Sequence, residues 1–316
     1  MKLAMLCGGH SSERPISFKS ARSIVEALGK GFPLLLIDSG RSEVFTDFEA
    51  QMQKEPLPPS PSLVKGLLSH LENNGIEKVC IMLHGGEGED GHIQALLDLC
   101  RLPYTGSGMG ASFLGMDKGL SKMVMKYYQV PTPPWTILTK SKPLPSSPPL
   151  PLPLIVKPVH EGSTVGLTKT ETGEQWEKAL HEAFKADDSI LIEQFIPGRE
   201  LTLTVDETGA WPPVEIRPKK GLYDYESKYS KGMSQYICPA EIAPPLLDRM
   251  NRDALLLYEK MGLKGVVRFD IRLDDEKYFF LEVNTLPGMT SLSLVPMSFK
   301  AGGLSYRDLI ERIFHG

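Results

Sequence analysis

Residues 278–294, YFFLEVNTLPGMTSLSL, decide how the rest of the chain is read. The stretch from Tyr278 to Asn284 is strand-like, and side chains two apart on a strand face the same side. Glu282 and Asn284 therefore present two oxygen donors together, while Val283 faces the core. Residues 266–273 read as the partner strand of a hairpin, with Asp274-Asp275-Glu276 at its turn. Asp270 on that partner lies near enough to join the pair. Asp, Glu and Asn oxygens without His or Cys suit a hard cation, so magnesium is favoured over zinc. Two carboxylates on a hairpin are usually a solvated face. Here Val266-Val267 and Phe279-Phe280-Leu281 flank them, so the hairpin is interior and its carboxylates need a partner.

Upstream, Lys157-Pro158 ends a strand candidate and Glu161-Gly162-Ser163-Thr164-Val165-Gly166 follows. Glycines and hydroxyls let backbone and side-chain donors approach phosphate oxygens, and the lysine adds charge. The loop is neither a Walker A sequence nor a GxGxxG, so P-loop and Rossmann nucleotide binding are not supported. An ordinary Gly/Ser turn is the bland alternative. Residues 193–200, Glu-Gln-Phe-Ile-Pro-Gly-Arg-Glu, join two strand candidates. Exposed backbone there suits an adenine ring and Glu200 suits ribose hydroxyls, against the alternative of a plain Pro-Gly turn. The polar, aromatic stretch 221–230 has the character of an active-site lid or of a packed surface loop.

The first third alternates strands with helices. Strands are expected at 2–7, 32–37 and 79–83, and helices near 18–28, 63–71 and 93–100. Such alternation predicts an open α/β sheet, whose ligands bind beyond the carboxyl ends of the strands. Two of those ends carry Gly8-Gly9-His10-Ser11-Ser12-Glu13 and His84-Gly85-Gly86-Glu87-Gly88-Glu89-Asp90-Gly91. One helix is expected over 111–128. Six prolines in 143–153 exclude helix or central strand there and read as an extended surface connection. Strands at 154–157, 189–194 and 201–205 and a helix at 174–184 form a small α+β lobe. A helix at 245–261, the hairpin and one short C-terminal helix complete the chain.

The 316 residues hold 35 Lys+Arg and 39 Asp+Glu, a net charge of −4, with 41% hydrophobic and 23% charged residues. That is the mix of a soluble globular protein large enough for two or three lobes. Without basic clusters, nucleic acid is not the expected partner. No apolar run spans a bilayer, and the first residues are too short for a secretory signal. Four cysteines without CxxC spacing point to a reducing, cytoplasmic setting.

Taken in order, these segments resemble the D-alanine–D-alanine ligase family of the ATP-grasp superfamily over nearly the whole chain. The anchors are Gly8-Gly9-x-Ser11-x-Glu13, the 84–91 loop, Met116-Asp117-Lys118, Lys157-Pro158, the 161–166 loop, Tyr223-Asp224-Tyr225-Glu226-Ser227-Lys228-Tyr229, Arg268-x-Asp270 and the block from Glu282 to Leu294. The resemblance implies an α/β protein with the ATP-grasp fold. Its N-terminal open α/β domain would span 1–110, a small central α+β lobe 111–197, and a C-terminal α+β lobe 198–316, the last carrying lid and metal site. It implies a cytoplasmic, homodimeric enzyme of peptidoglycan synthesis. Two D-alanines would be joined at the expense of ATP, through a D-alanyl phosphate, giving ADP and phosphate.

The same resemblance assigns roles. Asp270, Glu282 and Asn284 would hold two Mg²⁺ (or Mn²⁺) ions. Lys118 and Lys157 would clamp phosphates under the Ser163 loop, with Lys228 a further nucleotide contact. Glu193 would accept from the adenine amino group, the backbone at Gln194 and Ile196 would read the ring, and Glu200 would take the ribose. Glu13, with His84 nearby, would bind the first D-alanine. Arg268 and the Gly288 N–H would form the oxyanion hole. Ser293 and the Leu294 backbone would hold the second carboxylate. Ser163 and Tyr229 would lock the lid, with Glu13 completing the link.

Departures from the family pattern are few. Gln194 stands where lysine is common, His92 and Ala95 replace Thr and Gly, and Phe269 is bulky between the Arg and the Asp. D-alanine–D-lactate or D-alanine–D-serine ligation is the nearest rival, and Tyr229 favours the dipeptide. An idle nucleotide-binding ATP-grasp protein, or another carboxylate ligase on the same fold, is the alternative from a different class.

Overall fold

The computed structural model describes residues 1–29, 31–219 and 234–315. The expected lid at 221–230, with Lys228 and Tyr229, lies outside the described residues.

The first sheet contains β1 (Leu3–Cys7), β2 (Leu34–Asp38), β3 (Glu43–Val44) and β4 (Lys78–Ile81) in the order β3-β2-β1-β4. β1 pairs parallel with both β2 and β4. All five residues of β1 are buried, as a central parallel strand covered on both faces requires. α1 (Arg14–Leu28), α2 (Phe48–Met52), α3 (Pro61–Asn73) and α4 (His92–Leu99) surround it. The chain leaves β1 toward β2 on one side and returns at β4 on the other. The loops after β1 and β4 therefore meet at a topological switch point.

The single helix expected over 111–128 is two, α5 (Met109–Met116) and α6 (Lys118–Tyr127). Asp117 separates them. Its backbone is extended and its side chain accepts from the Leu120 N–H, capping α6. Lys118 is thereby the first residue of a helix. Ala111, Met125 and Val130 join the core of the third sheet.

The second sheet has the order β5-β8-β6-β7, from β5 (Trp135–Thr139), β6 (Leu154–Pro158), β7 (Thr168–Thr170) and β8 (Ser189–Gln194). α7 (Trp176–Phe184) packs Trp176, Ala179, Leu180 and Ala183 against it. The third sheet runs β12-β11-β9-β13-β14, from β9 (Arg199–Asp206), β11 (Val214–Pro218), β12 (Ser234–Ile237), β13 (Val267–Asp274) and β14 (Lys277–Asn284); β10 (Gly209–Ala210) pairs with β9. α8 (Pro244–Lys260) buries Leu246, Met250, Ala254 and Leu257 in the same core. The chain ends in two helices rather than one, α9 (Leu294–Ala301) and α10 (Tyr306–His315). Gly303, at φ 90°, lies in the turn that separates them.

The β13–β14 hairpin sits where the sequence places it. Arg268 pairs with Asn284 and Asp270 with Glu282, which puts all four side chains on one face. The other face is apolar. Phe269 is fully buried and meets Phe280 edge to face at 5.5 Å. Its bulk goes into the core, away from the oxygen donors. Phe269→Ala should destabilise the protein by about 3–5 kcal/mol, as cavity formation does in other cores. Denaturant unfolding measures this, and a loss below about 1 kcal/mol would contradict the packing described.

Candidate active site

The site forms where the three sheets face one another. A cavity of about 600 Å³ is lined by Glu13, His84, Lys118, Ser163, Arg268 and Gly288, among others. A neighbouring cavity of about 370 Å³ is lined by Lys157, Glu193, Gln194, Ile196, Glu200 and Asp270, among others. Arg268, Glu282 and Leu294 border both.

Between the cavities runs a row of alternating charges, buried except at the partly exposed Glu282. Lys122 Nζ lies 2.8 Å from one oxygen of Glu193, and Lys157 Nζ lies 2.8 Å from the other. Lys157 is also 3.6 Å from Glu282, which is 3.9 Å from Lys118. Burial works against the charged form of Lys157, but Glu193 and Glu282 outweigh it and hold its pKa above the usual lysine range. Burial also opposes ionisation of Glu193, and Lys122 and Lys157 overcome it to hold that carboxyl below its ordinary value. Lys118 Nζ donates to the Glu161 carbonyl at 2.6 Å and the Val159 carbonyl at 3.3 Å, which aims it into the larger cavity. The Glu193 carboxylate thus faces one lysine at each oxygen.

Arg268 and Asp270 form a two-point ion pair, with Nε to Oδ1 at 2.7 Å and Nη2 to Oδ2 at 2.9 Å. Asn284 Nδ2 donates to the same carboxylate at 3.1 Å. Among the described residues no group of three His, Cys, Asp or Glu could hold a metal ion. The hairpin instead presents two carboxylates and an amide, an all-oxygen set that fits a hard divalent cation.

The loop after β14 is fixed from the first sheet. His84 Nδ1 donates to the Leu286 carbonyl at 2.8 Å, and Glu89 accepts from the Leu286 N–H at 3.1 Å. Ser20 Oγ accepts from the Met289 N–H at 3.2 Å and lies 3.0 Å from His84 Nε2. The Tyr306 hydroxyl donates to the Met289 carbonyl. Gly288 is held between these two clamped residues. His84 spends both ring nitrogens on this frame, and burial keeps its pKa below the ordinary histidine value.

Ser163 and Thr164 both adopt positive φ, 47° and 62°, a costly conformation for non-glycine residues that concentrates at functional loops. The Ser163 hydroxyl donates to Glu13, so the first lobe touches the phosphate-type loop directly. Ser293 is the N-cap of α9, whose Leu294 and Val295 N–H groups are its first donors, Pro296 having none.

The description "D-ala D-ala ligase N-terminus" matches residues 2–107, and "D-ala D-ala ligase C-terminus" matches residues 123–315. The chain is 37% identical over 316 residues to the D-alanine–D-alanine ligase of Syntrophotalea carbinolica, covering 100% of this chain and 95% of that protein. The chain belongs to the D-alanine–D-alanine ligase family. It is also 41% identical over 319 residues to the D-alanine–D-alanine ligase of Bordetella petrii, covering 99% of this chain and 90% of that one. The crystal structure of a Bacillus anthracis D-alanine–D-alanine ligase complexed with ATP superposes with a TM-score of 0.81 at 27% identity, covering 100% of this chain and 96% of that one. The α/β fold of this ligase-family chain is the ATP-grasp fold.

The sequence reading missed Lys122, Ser20, Glu89, Tyr306 and Arg272 as parts of the frame. Lys122 was findable, since it lies one turn after Lys118 on the same helix face. Glu89 is half-buried, and its carboxyl is pushed up to about 7 by desolvation first and by nearby Glu13 second. Unfolded, a glutamate ionises near 4.5. Between those values the folded chain keeps a proton the unfolded chain has lost, so stability falls as pH rises through this window. Glu89→Gln is expected to flatten that fall. Thermal unfolding from pH 4.5 to 7 tests it, and a wild-type-to-variant gap that stays constant across the window counts against it.

Proposed function

We infer that the protein is an ATP-dependent ligase that joins two D-alanines into D-alanyl-D-alanine for peptidoglycan synthesis, releasing ADP and phosphate. The observation that carries this reading is the face shared by Arg268, Asp270, Glu282 and Asn284 between two adjoining cavities, in a chain of this family. The first D-alanine carboxylate attacks the γ-phosphate of ATP and ADP leaves. The amine of the second D-alanine attacks the acyl carbon of the resulting acylphosphate, and phosphate leaves through a tetrahedral intermediate.

Lys157 and Lys118 stand as point charges toward phosphate oxygens. Glu13 takes the ammonium of the first D-alanine, with His84 acting behind it on the Gly288 loop. Arg268 and the Gly288 N–H supply donors to the developing oxyanion. Ser293 and the start of α9 suit the carboxylate of the second D-alanine. Gln194, Ile196 and Glu200 line the smaller cavity as the adenosine side. Glu193 serves that side by fixing Lys157. Ser163 and Glu13 close one edge, and Tyr229 and Lys228 belong to the same reading as lid residues. Asp270, Glu282 and Asn284 are the residues to hold magnesium (or manganese), whose charge offsets that of the phosphates.

The chain divides in this reading at 1–110, 111–197 and 198–316, with α6 of the middle unit, and α5 across its first boundary, docked on the third sheet. No helix among the described residues is long and apolar enough to cross a membrane, and all four cysteines are free. A cytoplasmic homodimer completes the proposal.

Purified protein should release phosphate from ATP with Mg²⁺ and D-alanine, and form dipeptide in preference to ester when D-alanine and D-lactate compete at neutral pH. ATP binding without phosphate release would favour the idle nucleotide-binding reading, and preferential ester would favour the depsipeptide rival. Glu282→Gln should lower turnover about a thousandfold, the several kcal/mol expected of a lost metal ligand. Turnover within tenfold of wild type would contradict its assignment.

A further inference from the structure

Arg272 extends the row that begins with Arg268 and Asp270 on β13, and its guanidinium points at the connection between β8 and β9. Nε donates to the Ile196 carbonyl at 3.1 Å and Nη2 to the Gly198 carbonyl at 2.9 Å. Nη1 reaches Glu200 Oε2 at 3.2 Å. One side chain therefore ties three groups of the 196–200 segment to the strand that carries Asp270. The segment has no slack on its other side. A Cβ on Gly198 would stand 2.2 Å from the Leu273 carbonyl oxygen, so this backbone lies directly on the end of β13.

The same segment has few donors left for a base. The Gln194 N–H is spent on the Pro134 carbonyl at 2.9 Å and the Phe195 N–H on the Pro153 carbonyl at 3.1 Å. Pro197 has no N–H. Among the described residues, Ile196 alone between 194 and 197 keeps an uncommitted N–H, and Ile196 lines the smaller cavity. An N–H donor complements N1 of adenine, which accepts. It opposes N1 of hypoxanthine or guanine, which carries a hydrogen.

We propose that Arg272 is a positioning residue for nucleotide choice: by fixing Ile196 and Glu200 it presents the Ile196 N–H, the donor on the smaller cavity that selects adenine. This rests on the reading of the smaller cavity as the adenosine side. Arg272 touches no reacting atom in this role, so its removal acts on base selection rather than on the chemical step. Lysine at this position can make one or two of the three contacts, but not the planar fork.

The test is steady-state kinetics with ATP and ITP as alternative nucleotides, on wild type, Arg272→Met and Arg272→Lys. Arg272→Met should raise KM for ATP about tenfold and narrow the ATP-to-ITP ratio of kcat/KM, with KM for D-alanine unchanged. Arg272→Lys should fall between. The proposal is overturned if KM for ATP stays within twofold, if ATP and ITP lose equally, or if the loss falls on kcat or on D-alanine. Unchanged D-alanine KM in the variants also shows that they are folded. If wild type itself shows no preference for ATP over ITP, the adenosine reading of the cavity fails, and the role of Arg272 with it. If wild type prefers ATP and Arg272→Met keeps the full preference, only the role of Arg272 fails.

Discussion

Five charges, four of them buried and Glu282 partly exposed, lie side by side because their signs alternate. Lys122, Glu193, Lys157, Glu282 and Lys118 come from α6, β8, β6, β14 and again α6. Each would be costly to bury alone, since removing water from an ion costs several kcal/mol that only close partners offset. The row is tight at one end and loose at the other. Contacts to Glu193 are 2.8 Å, whereas those to Glu282 are 3.6 and 3.9 Å. The tight end lies in protein and holds the second sheet to α6. The loose end borders the cavities, where in the proposed function a polyphosphate would compete with Glu282 for the two lysines. Electrostatic cohesion and readiness for an anion thus come from one arrangement.

What was legible in the sequence follows from which signals are local. The hairpin needs only a period of two and a polar turn, and Asp270, Glu282 and Asn284 emerge from it on one face. The parallel strands of the first sheet read clearly because burial on both faces leaves unbroken apolar runs. β5, β7, β11 and β12 did not read, being short or only partly buried and set by their neighbours' registers. The break at Asp117 was hidden because the apolar spacing carries on across it; only the aspartate's capping ability marks it. The Glu193–Lys122 ion pair is not legible locally, because Lys122 sits on a helix about seventy chain positions away in a different layer. Arg272 escaped because no motif extends past Asp270, although its parity along the strand placed it on the right face.

The phosphate-type loop shows how local cost and distant support combine. Two consecutive left-handed residues, Ser163 and Thr164, are unfavourable in isolation. Glu13, contributed by the turn into α1, accepts from the Ser163 hydroxyl and rewards that conformation only when the first sheet is docked. The geometry of the 161–166 loop is in this way conditional on the first lobe.

Leu286 and Met289 are each gripped at both backbone polar groups, and three of the four grips, from Ser20, His84 and Glu89, belong to the first lobe. Gly288 consequently owes its orientation to residues that precede it by about 200 positions (His84, Glu89) to about 270 (Ser20). A chimaera that grafts a foreign first lobe onto the remaining two keeps Gly288 in this orientation only if the graft brings those three side chains in the same frame. Shuffling between relatives must therefore treat the turn after β14 as an heirloom of the N-terminal half.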